Sequence, residues 1–191
     1  MKKRICIVLI AIALLVPSFA FAQMFDVSLG ATAQVVASYD NFDFGETFGK
    51  IDNYSFGPEL RLKLTVLEIN AVGLYSSQKS GGFNVNVLSF LPTVGLSFDI
   101  VDTVRLGLGM GPMMFWGFVN GHQISDMSFG DKFMAANFRY RATVDFMAGP
   151  VLVGVNYSVP TTFNIKTHDA KGLKPDFSTG MIGVSVLYSF F

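Results

Sequence analysis

Two short segments of this chain contain the residue types that nucleophilic catalysis needs. His122, Ser125 and Asp126 lie close together in sequence, and His168 is followed directly by Asp169. A histidine beside a serine and a carboxylate can activate the hydroxyl group for attack on an ester. The hydropathy pattern places both segments in loops, so no strand holds these side chains in a fixed arrangement. We therefore predict no catalytic residues, and two histidines are too few to predict a metal site.

A second set of chemically active residues consists of charged side chains at alternating positions. Single leucines separate Glu59, Arg61 and Lys63, and a tyrosine separates Arg139 from Arg141. Because successive side chains of a β-strand point to opposite faces, residues spaced by two share one face. The charged residues predicted on this polar face are Asp26, Glu59, Arg61, Lys63, Arg105, Arg139, Arg141 and Asp145.

Alternation of apolar and small or polar residues extends over most of the chain and defines the strands that carry these charges. Such a period of two, with no helical periodicity of useful length, predicts an all-β fold. We predict eight strands over residues 25–37, 54–66, 68–77, 83–99, 104–116, 133–146, 151–159 and 178–191.

Two of these strands depart from simple alternation. In the third, Val72 and Leu74 have the same parity as Glu68 and Asn70, so its inward face is ambiguous. In the fourth, polar residues occupy even positions at first and apolar residues occupy them later. We predict a β-bulge near residues 88–89, because one extra residue in a strand turns every later side chain to the other face.

The connections between strands are of two kinds. Those after the second, fourth and sixth strands are tight, whereas those after the first, fifth and seventh are long. This alternation is typical of an antiparallel up-and-down barrel whose two rims face different surroundings. The eight strands therefore predict one barrel domain with both ends of the chain at the tight-turn rim.

The first 22 residues are predicted to be a cleaved secretory signal peptide. A basic start, Lys2–Arg4, precedes the apolar run Ile5–Val16, and Ala20–Ala22 forms a small-x-small cleavage site. Cys6 is the only cysteine, so residues 23–191 lack the thiols needed for a disulfide or a Cys-based metal site. Without the three basic residues of Lys2–Arg4, 11 of the 14 basic residues remain against 14 acidic ones, which gives no indication of a nucleic-acid partner.

Alternation alone fits a soluble barrel with an apolar interior as well as a membrane barrel with an apolar exterior. The polar face here is rich in Gly, Ser, Asn and Thr rather than in Lys and Glu. Such small residues suit the crowded interior of a narrow barrel, and aromatic residues gather near the strand ends, as they do at membrane interfaces. Together with the signal peptide, this pattern favours an eight-stranded transmembrane β-barrel.

The chain resembles a known family at this point: the small eight-stranded outer-membrane β-barrels of the OmpX, OmpA membrane-domain and OmpW type. The resemblance covers residues 23–191 and rests on the architecture and on the final strand. Proteins of this family end in an aromatic residue preceded by alternating apolar residues, which the barrel-assembly machinery recognises. Gly183, Val186, Tyr188 and Phe190 resemble that assembly signal, although the outward parity falls on Phe190 rather than on the last residue.

The resemblance implies a location in the bacterial outer membrane and no cofactor. It also implies three kinds of partner: outer-membrane lipids, the barrel-assembly machinery and periplasmic chaperones. The leading functional hypothesis is a structural or surface-exposed barrel whose loops contact lipid or partner molecules. The alternatives are a passive channel for small, hydrophobic solutes of the OmpW type and, third, an outer-leaflet lipid-modifying enzyme.

Two groups of residues bear on these alternatives. The inward charges form either a structural ion-pair network or a gate with a bias toward anions, and an eight-stranded interior is too narrow for a wide pore. Aromatic residues of the outer segments either cap the upper aromatic girdle or line a hydrophobic vestibule. The residues of this predicted vestibule are Phe42, Phe44, Phe48, Phe115, Trp116, Phe118 and Phe129.

Overall fold

The computed structural model describes residues 25–38, 47–80 and 82–190. The predicted signal peptide, residues 1–22, lies outside the described residues, as do Phe42 and Phe44 of the predicted vestibule and the last residue, Phe191.

Ten β-strands and one α-helix make up most of the described chain. They are β1 (Phe25–Ser38), β2 (Tyr54–Leu64), β3 (Leu67–Ser80), β4 (Phe83–Val101), β5 (Val104–Pro112), β6 (Met114–Val119), β7 (His122–Gln123), α1 (Phe129–Ala135), β8 (Phe138–Ala148), β9 (Val151–Pro160) and β10 (Thr179–Ser189). Two 3₁₀ turns, Ile51–Asn53 and Ala170–Leu173, lie in the connections. None of the helices among the described residues is long and apolar enough to cross a membrane.

The strands form one closed antiparallel barrel. The strands β1 to β5 pair in chain order, as do β8 to β10; β5 also pairs with β8, and β1 closes the circle by pairing with β10 from Ser28–Ser189 to Ser38–Thr179. The strands β5 and β6 pair with successive parts of β4 and together act as one strand of the barrel wall. The described residues therefore form an eight-stranded barrel, and β7 pairs with β6 in a short hairpin. The rim with the turns 65–66, 102–103 and 149–150 is here called the turn end, and the opposite rim the loop end.

The pattern of burial separates two faces of the barrel wall. Polar side chains such as Ser28, Asn70 and Asn156 are buried inside, whereas outward apolar side chains such as Leu108 and Val155 are exposed. This arrangement is the reverse of a soluble domain, in which the apolar face is the buried one. Alternation alone did not decide whether the apolar face points into the barrel or out of it. The structure shows that it points out.

The predicted β-bulge near residues 88–89 was wrong. The β3–β4 pairing runs without a shift from Leu67–Leu96 to Ser80–Phe83. Along the described part of β4, the register irregularity against β5 lies between Asp99 and Val101.

The change of polarity in β4 comes instead from its surroundings. Odd-numbered residues face inward along the strand, and near the loop end these include Val85 and Val87, which line an interior cavity. Asn84 and Asn86 face outward, and Asn86 accepts a hydrogen bond from the hydroxyl of Tyr75 at 3.0 Å. The barrel wall thus changes from apolar outside to polar outside near its loop end, without any change of register.

The predicted loop after the fifth strand contains regular structure. The chain turns at Asn120 and Gly121, both with positive φ, so that β7 pairs with β6 in a short hairpin. The helix α1 follows and includes residues 133–135, which were predicted as the start of the sixth strand. That strand, β8, begins at Phe138 instead, so this boundary of the prediction was also wrong.

Candidate functional site

The barrel interior contains a buried ion-pair network with Glu59 at its centre. Arg61 donates from Nε to the Glu59 carboxylate at 2.6 Å, and Arg141 donates from Nη2 to both carboxylate oxygens at 2.9 Å. Arg61 also donates from Nη1 to Asp145 at 2.5 Å. The side chain of Ser185 in β10 donates to Glu59 at 2.7 Å. The carboxylate therefore joins β2, β8 and β10 across the barrel.

A second cluster of charges lies nearer the turn end. Arg105 donates to Asp26 at 2.6 Å and to Asp99 at 2.7 Å, and Lys63 forms an ion pair with Asp99. The hydroxyl of Ser189 donates to Asp26 at 2.7 Å. Because Asp26, Lys63 and Arg105 are buried, the ion pairs offset a desolvation cost of several kcal/mol for each of these ions. An interior of this kind is stable only if the charges remain paired.

Glycines in neighbouring strands give the charged side chains their room. A Cβ atom at Gly154 would lie 1.9 Å from Oδ1 of Asp145, and one at Gly183 would lie 2.6 Å from Cγ of Gln34. Both glycines point inward, where a side chain and the opposing polar group cannot occupy the same space. The small residues of the polar face are therefore a packing requirement of the network.

An apolar layer separates this network from the loop end. Five buried residues form it, contributed by β3, β4, the β5–β6 junction and β10: Val72, Leu74, Leu91, Met113 and Met181. The ambiguous parity of β3 has its explanation here, since the strand points Glu68 and Asn70 into the polar layer and its next two inward residues into the apolar layer. The interior is thus filled in two layers of different chemistry.

The structure brings most of the predicted inward charges into the two ion-pair clusters but leaves Arg139 apart. Arg61, Lys63, Arg105 and Arg141 each form an ion pair with a carboxylate. Arg139 faces the interior beyond the apolar layer and forms no ion pair with a carboxylate of the described residues; its Nη2 donates to the carbonyl oxygen of Ser158 at 3.2 Å. Whether any of these charges acts as a gate stays a prediction.

Two members of the network were not in the predicted set. Asp99, interpreted as the start of a turn, lies in β4 and pairs with Lys63 and Arg105. Glu68 is buried with Arg141 beside a small cavity of about 10 Å³, roughly the space of one water molecule. Glu68 lies on the even-numbered, inward face of β3, and the apolar residues Val72 and Leu74 further along that face made its direction ambiguous in the sequence.

The predicted vestibule residues lie on different surfaces. Phe115 faces the interior cavity at the loop end. Trp116, Phe118 and Phe129 line a groove of about 520 Å³ on the outer wall, where Phe129 stacks on Trp116 with ring centroids 6.3 Å apart. Phe48 lies before β2, and its carbonyl oxygen accepts a hydrogen bond from the hydroxyl of Tyr54 at 3.1 Å. The described members of this set do not form a single chamber.

The histidine segments have local structural roles. His122 is exposed in β7, and the hydroxyl of Ser125 accepts a long hydrogen bond of 3.4 Å from the backbone of Met127. Asp169 accepts from the backbone N–H of Lys171 at 3.0 Å and so begins a 3₁₀ turn. Within the described residues, no cluster of three or more His, Cys, Asp or Glu side chains could hold a metal ion.

Residues of the predicted assembly signal lie in the strand that closes the barrel. Val186, Tyr188 and Phe190 point outward and are exposed, and the rings of Tyr188 and Phe190 meet edge to face at 5.2 Å. Gly183 points inward, as its neighbours Gln34 and Asn156 require. Recognition of these residues by an assembly machinery stays a prediction.

Comparison with known proteins defines the class of fold. No family model matches the chain, and no curated protein matches it. Among solved structures, it is similar to Ail, the attachment invasion locus protein of Yersinia pestis, with a TM-score of 0.51 and 15% identity over 87% of this chain and 97% of that one. It is equally similar to Neisserial surface protein A (NspA), with a TM-score of 0.51 and 14% identity over 88% of this chain and 98% of that one.

A third structure, the outer membrane enzyme PagL, has a TM-score of only 0.33 at 16% identity, too low to support an argument. The chain has the closed eight-stranded fold of the small outer-membrane β-barrels, and the fold class predicted from the sequence is confirmed. At these identities the likeness concerns the fold alone.

Proposed function

We propose that this chain is an integral barrel of the bacterial outer membrane. The support is the belt of exposed apolar side chains around the barrel, among which Leu108 is 60% and Val184 51% exposed. An apolar surface of this extent is stable only against lipid or a partner, because soluble monomers seldom expose patches above a few hundred Å². Outer-membrane lipids are accordingly the partners of the belt, and the barrel-assembly machinery and periplasmic chaperones are those of its biogenesis.

Within the membrane, the barrel serves as a closed scaffold that presents its loop-end segments at the cell surface. The observation that carries this proposal is the filled interior: Glu59, Arg61 and Arg141 are at most 2% exposed, and the apolar layer lies above them. A water-filled passage would leave these charges exposed to solvent. The passive-channel hypothesis is therefore the weaker one.

The loop-end segments are suited to contacts with lipid or with another protein. They carry exposed apolar residues, including Ile51, Ile124, Phe129 and Phe177. Two elements of regular structure order this surface, the β6–β7 hairpin and the helix α1. The Nζ atom of Lys132 in α1 lies 5.8 Å from the ring centroid of Trp116. We propose no enzymatic role, since His122 and Ser125 share no hydrogen bond among the described residues.

Membrane residence is tested first. The full chain is expressed with its first 22 residues in a Gram-negative host, and cell envelopes are extracted with carbonate and then with detergent. We expect the protein in the detergent fraction, migrating faster on a gel when unheated because the closed barrel resists the denaturant. A protein that stays in solution without detergent contradicts the proposal.

Closure is tested by conductance. The purified barrel is inserted into planar lipid bilayers beside an open porin as positive control, and insertion is verified from the unheated gel band of the same vesicles. We expect no stable conductance steps from the wild-type protein. A variant with Leu74 and Leu91 both changed to Ser thins the apolar layer, and any leak should appear there first. Regular steps from the wild type would reinstate the channel hypothesis.

A further inference from the structure

A cavity of about 250 Å³ lies inside the barrel at its loop end. Almost all of its lining residues have inward parity, and they come from seven strands, β1, β2, β3, β4, β6, β8 and β10, together with Met113 between β5 and β6. The cavity is therefore the outer part of the barrel interior, and the apolar layer with Met113 and Met181 forms its floor. It shares Ser89 with the groove on the outer wall, but none of the other residues that line it.

The wall of this cavity combines apolar side chains with polar ones, among them Ser55, Ser76 and Gln78, and it opens to solvent. Val36, Val85, Val87 and Phe115 face into it, and Val36 and Phe115 are 57% and 52% exposed. Outward positions at the same height in β4 carry the polar residues Asn84 and Asn86. Exposed apolar residues that face inward contribute nothing to contact with the surrounding lipid. Such a concave apolar surface is typical of a binding site.

Arg139 supplies a positive charge to the same cavity. Its Nη2 donates to a backbone carbonyl, and its Nε is buried without a hydrogen-bond partner among the described residues. A buried guanidinium donor without a partner is costly, whereas a carboxylate accepts two parallel hydrogen bonds from a guanidinium group. The four other inward cations of the described strands already have carboxylate partners. Arg139 is thus the cation that can receive an anion from outside.

We propose that the loop end of the barrel interior binds a single-chain amphipathic anion, a fatty-acid-like alkyl carboxylate. The carboxylate pairs with the guanidinium group of Arg139, and the alkyl chain lies against Val85, Val87 and Phe115. A water molecule occupies about 30 Å³ in the liquid and a methylene group is of similar size, so the cavity holds a chain of about eight carbons. Ser89 and Thr179 also line the cavity.

The test measures binding of octanoate to the barrel in phosphatidylcholine nanodiscs by calorimetry, with empty nanodiscs subtracted. Octanol, which lacks the charge, and acetate, which lacks the chain, are the comparison ligands. We expect saturable binding of octanoate and at least tenfold weaker binding of both comparison ligands. Octanoate that binds no better to the barrel than to empty nanodiscs overturns the proposal.

The variant Arg139→Gln separates the charge from the fold. We expect it to weaken octanoate binding by at least tenfold, since a hydrogen bond to a charged group contributes about 1.5–3 kcal/mol, and to leave octanol unchanged. Lys132→Gln removes a cation outside the cavity and should leave octanoate binding at the wild-type value. Equal octanoate affinity in Arg139→Gln and the wild type contradicts the proposed role of Arg139.

A measurement on the wild type keeps the proposal open to refutation if Arg139→Gln does not fold. With ¹³C-methyl methionine, octanoate should shift the methyl signals of Met113 and Met181, which line the cavity, and leave that of Met134 in α1 unchanged. Signals that shift equally at all three positions indicate general partition into the lipid and overturn the site. The binding measurements do not depend on conductance. A conducting barrel would contradict the closed scaffold of the proposed function, but it would not decide whether octanoate binds.

Discussion

Removal of the charge on Glu59 is the sharpest perturbation of the interior. In Glu59→Gln the side chain keeps its size, but Arg61 and Arg141 lose their shared carboxylate. Arg61 retains Asp145 at 2.5 Å, whereas Arg141 loses its ion pair and keeps only the buried Glu68 beside the same small cavity, with no ion pair between them. The variant therefore leaves one buried cation without an ion-pair partner.

The magnitude follows from this asymmetry. Breaking a buried pair from one side costs about 3–5 kcal/mol. The amide oxygen of Gln still accepts one hydrogen bond, so we expect a loss near the lower limit, about 3 kcal/mol in the free energy of unfolding. Arg141→Met leaves Glu59 paired with Arg61 and bonded to Ser185, and should cost about 1–2 kcal/mol.

The double variant tests the reasoning itself. With both Glu59→Gln and Arg141→Met, no buried charge loses its partner and Arg61 keeps Asp145. We expect a total loss of about 2 kcal/mol, which is less than the sum of the single losses by about 2–3 kcal/mol, within the range for residues in contact.

Unfolding is followed in urea with the barrel in phosphatidylcholine vesicles. The chain has one tryptophan, Trp116, and its emission reports the loss of the barrel. Asp102→Asn in an exposed turn is the matched control for the loss of one carboxylate, and should change the unfolding free energy by less than about 0.5 kcal/mol. Additive losses in the double variant would show that Glu59 and Arg141 do not form an energetic pair.

Three further variants test the layers, the glycines and the helix cap. Leu91→Ala opens a void in the apolar layer and should lower the unfolding free energy by about 2–5 kcal/mol in the same urea titration; a loss below about 1 kcal/mol would mean that the layer is loosely packed. Gly154→Ala places a methyl group against Asp145 and should cost about 1–3 kcal/mol, whereas Gly73→Ala, whose new Cβ meets nothing closer than 3.7 Å, should be tolerated. Ser128→Ala removes the cap of α1, which accepts from Asp131 N at 3.2 Å, and amide exchange in α1 should quicken about fivefold without a change in global unfolding.

Alternation in the sequence was sufficient to predict the barrel, but the predicted set of inward charges left out Asp99 and Glu68. Strand bounds mostly agree within a few residues, because each strand keeps one face polar and the other apolar over most of its length. The β4 strand shows the limit of this reasoning. Val85 and Val87 are apolar and inward, and parity counting cannot distinguish a bulge from a change in what surrounds the barrel.

The segment between β6 and β8 contains local sequence signals for its hairpin and its helix, but the prediction relied on alternation and did not use them. Asn120-Gly121 is the dipeptide that favours a type I′ hairpin turn, and the structure has a hairpin there. Ser128 followed by Asp131 is a variant of the capping box, and α1 begins after Ser128. The position of Arg139 relative to the carboxylates depends on which strands face each other across the barrel. Closure of the barrel sets the distance between Arg139 and the carboxylates, and a local sequence pattern does not show how the barrel closes.

The network has a consequence for the route by which the chain folds. Its partners lie far apart in sequence: 84 residues separate Arg61 from Asp145, 79 separate Arg105 from Asp26, and 82 separate Arg141 from Glu59. A sheet with only some of its strands would hold these charges without their counter-charges. Partial sheets are therefore poorly suited to enter the hydrocarbon, where an unpaired charge is most costly. Insertion and closure should accordingly proceed as one cooperative event, because the charges on β1 and β2 meet their counter-charges on β4, β5 and β8 only when the sheet has rolled into the barrel.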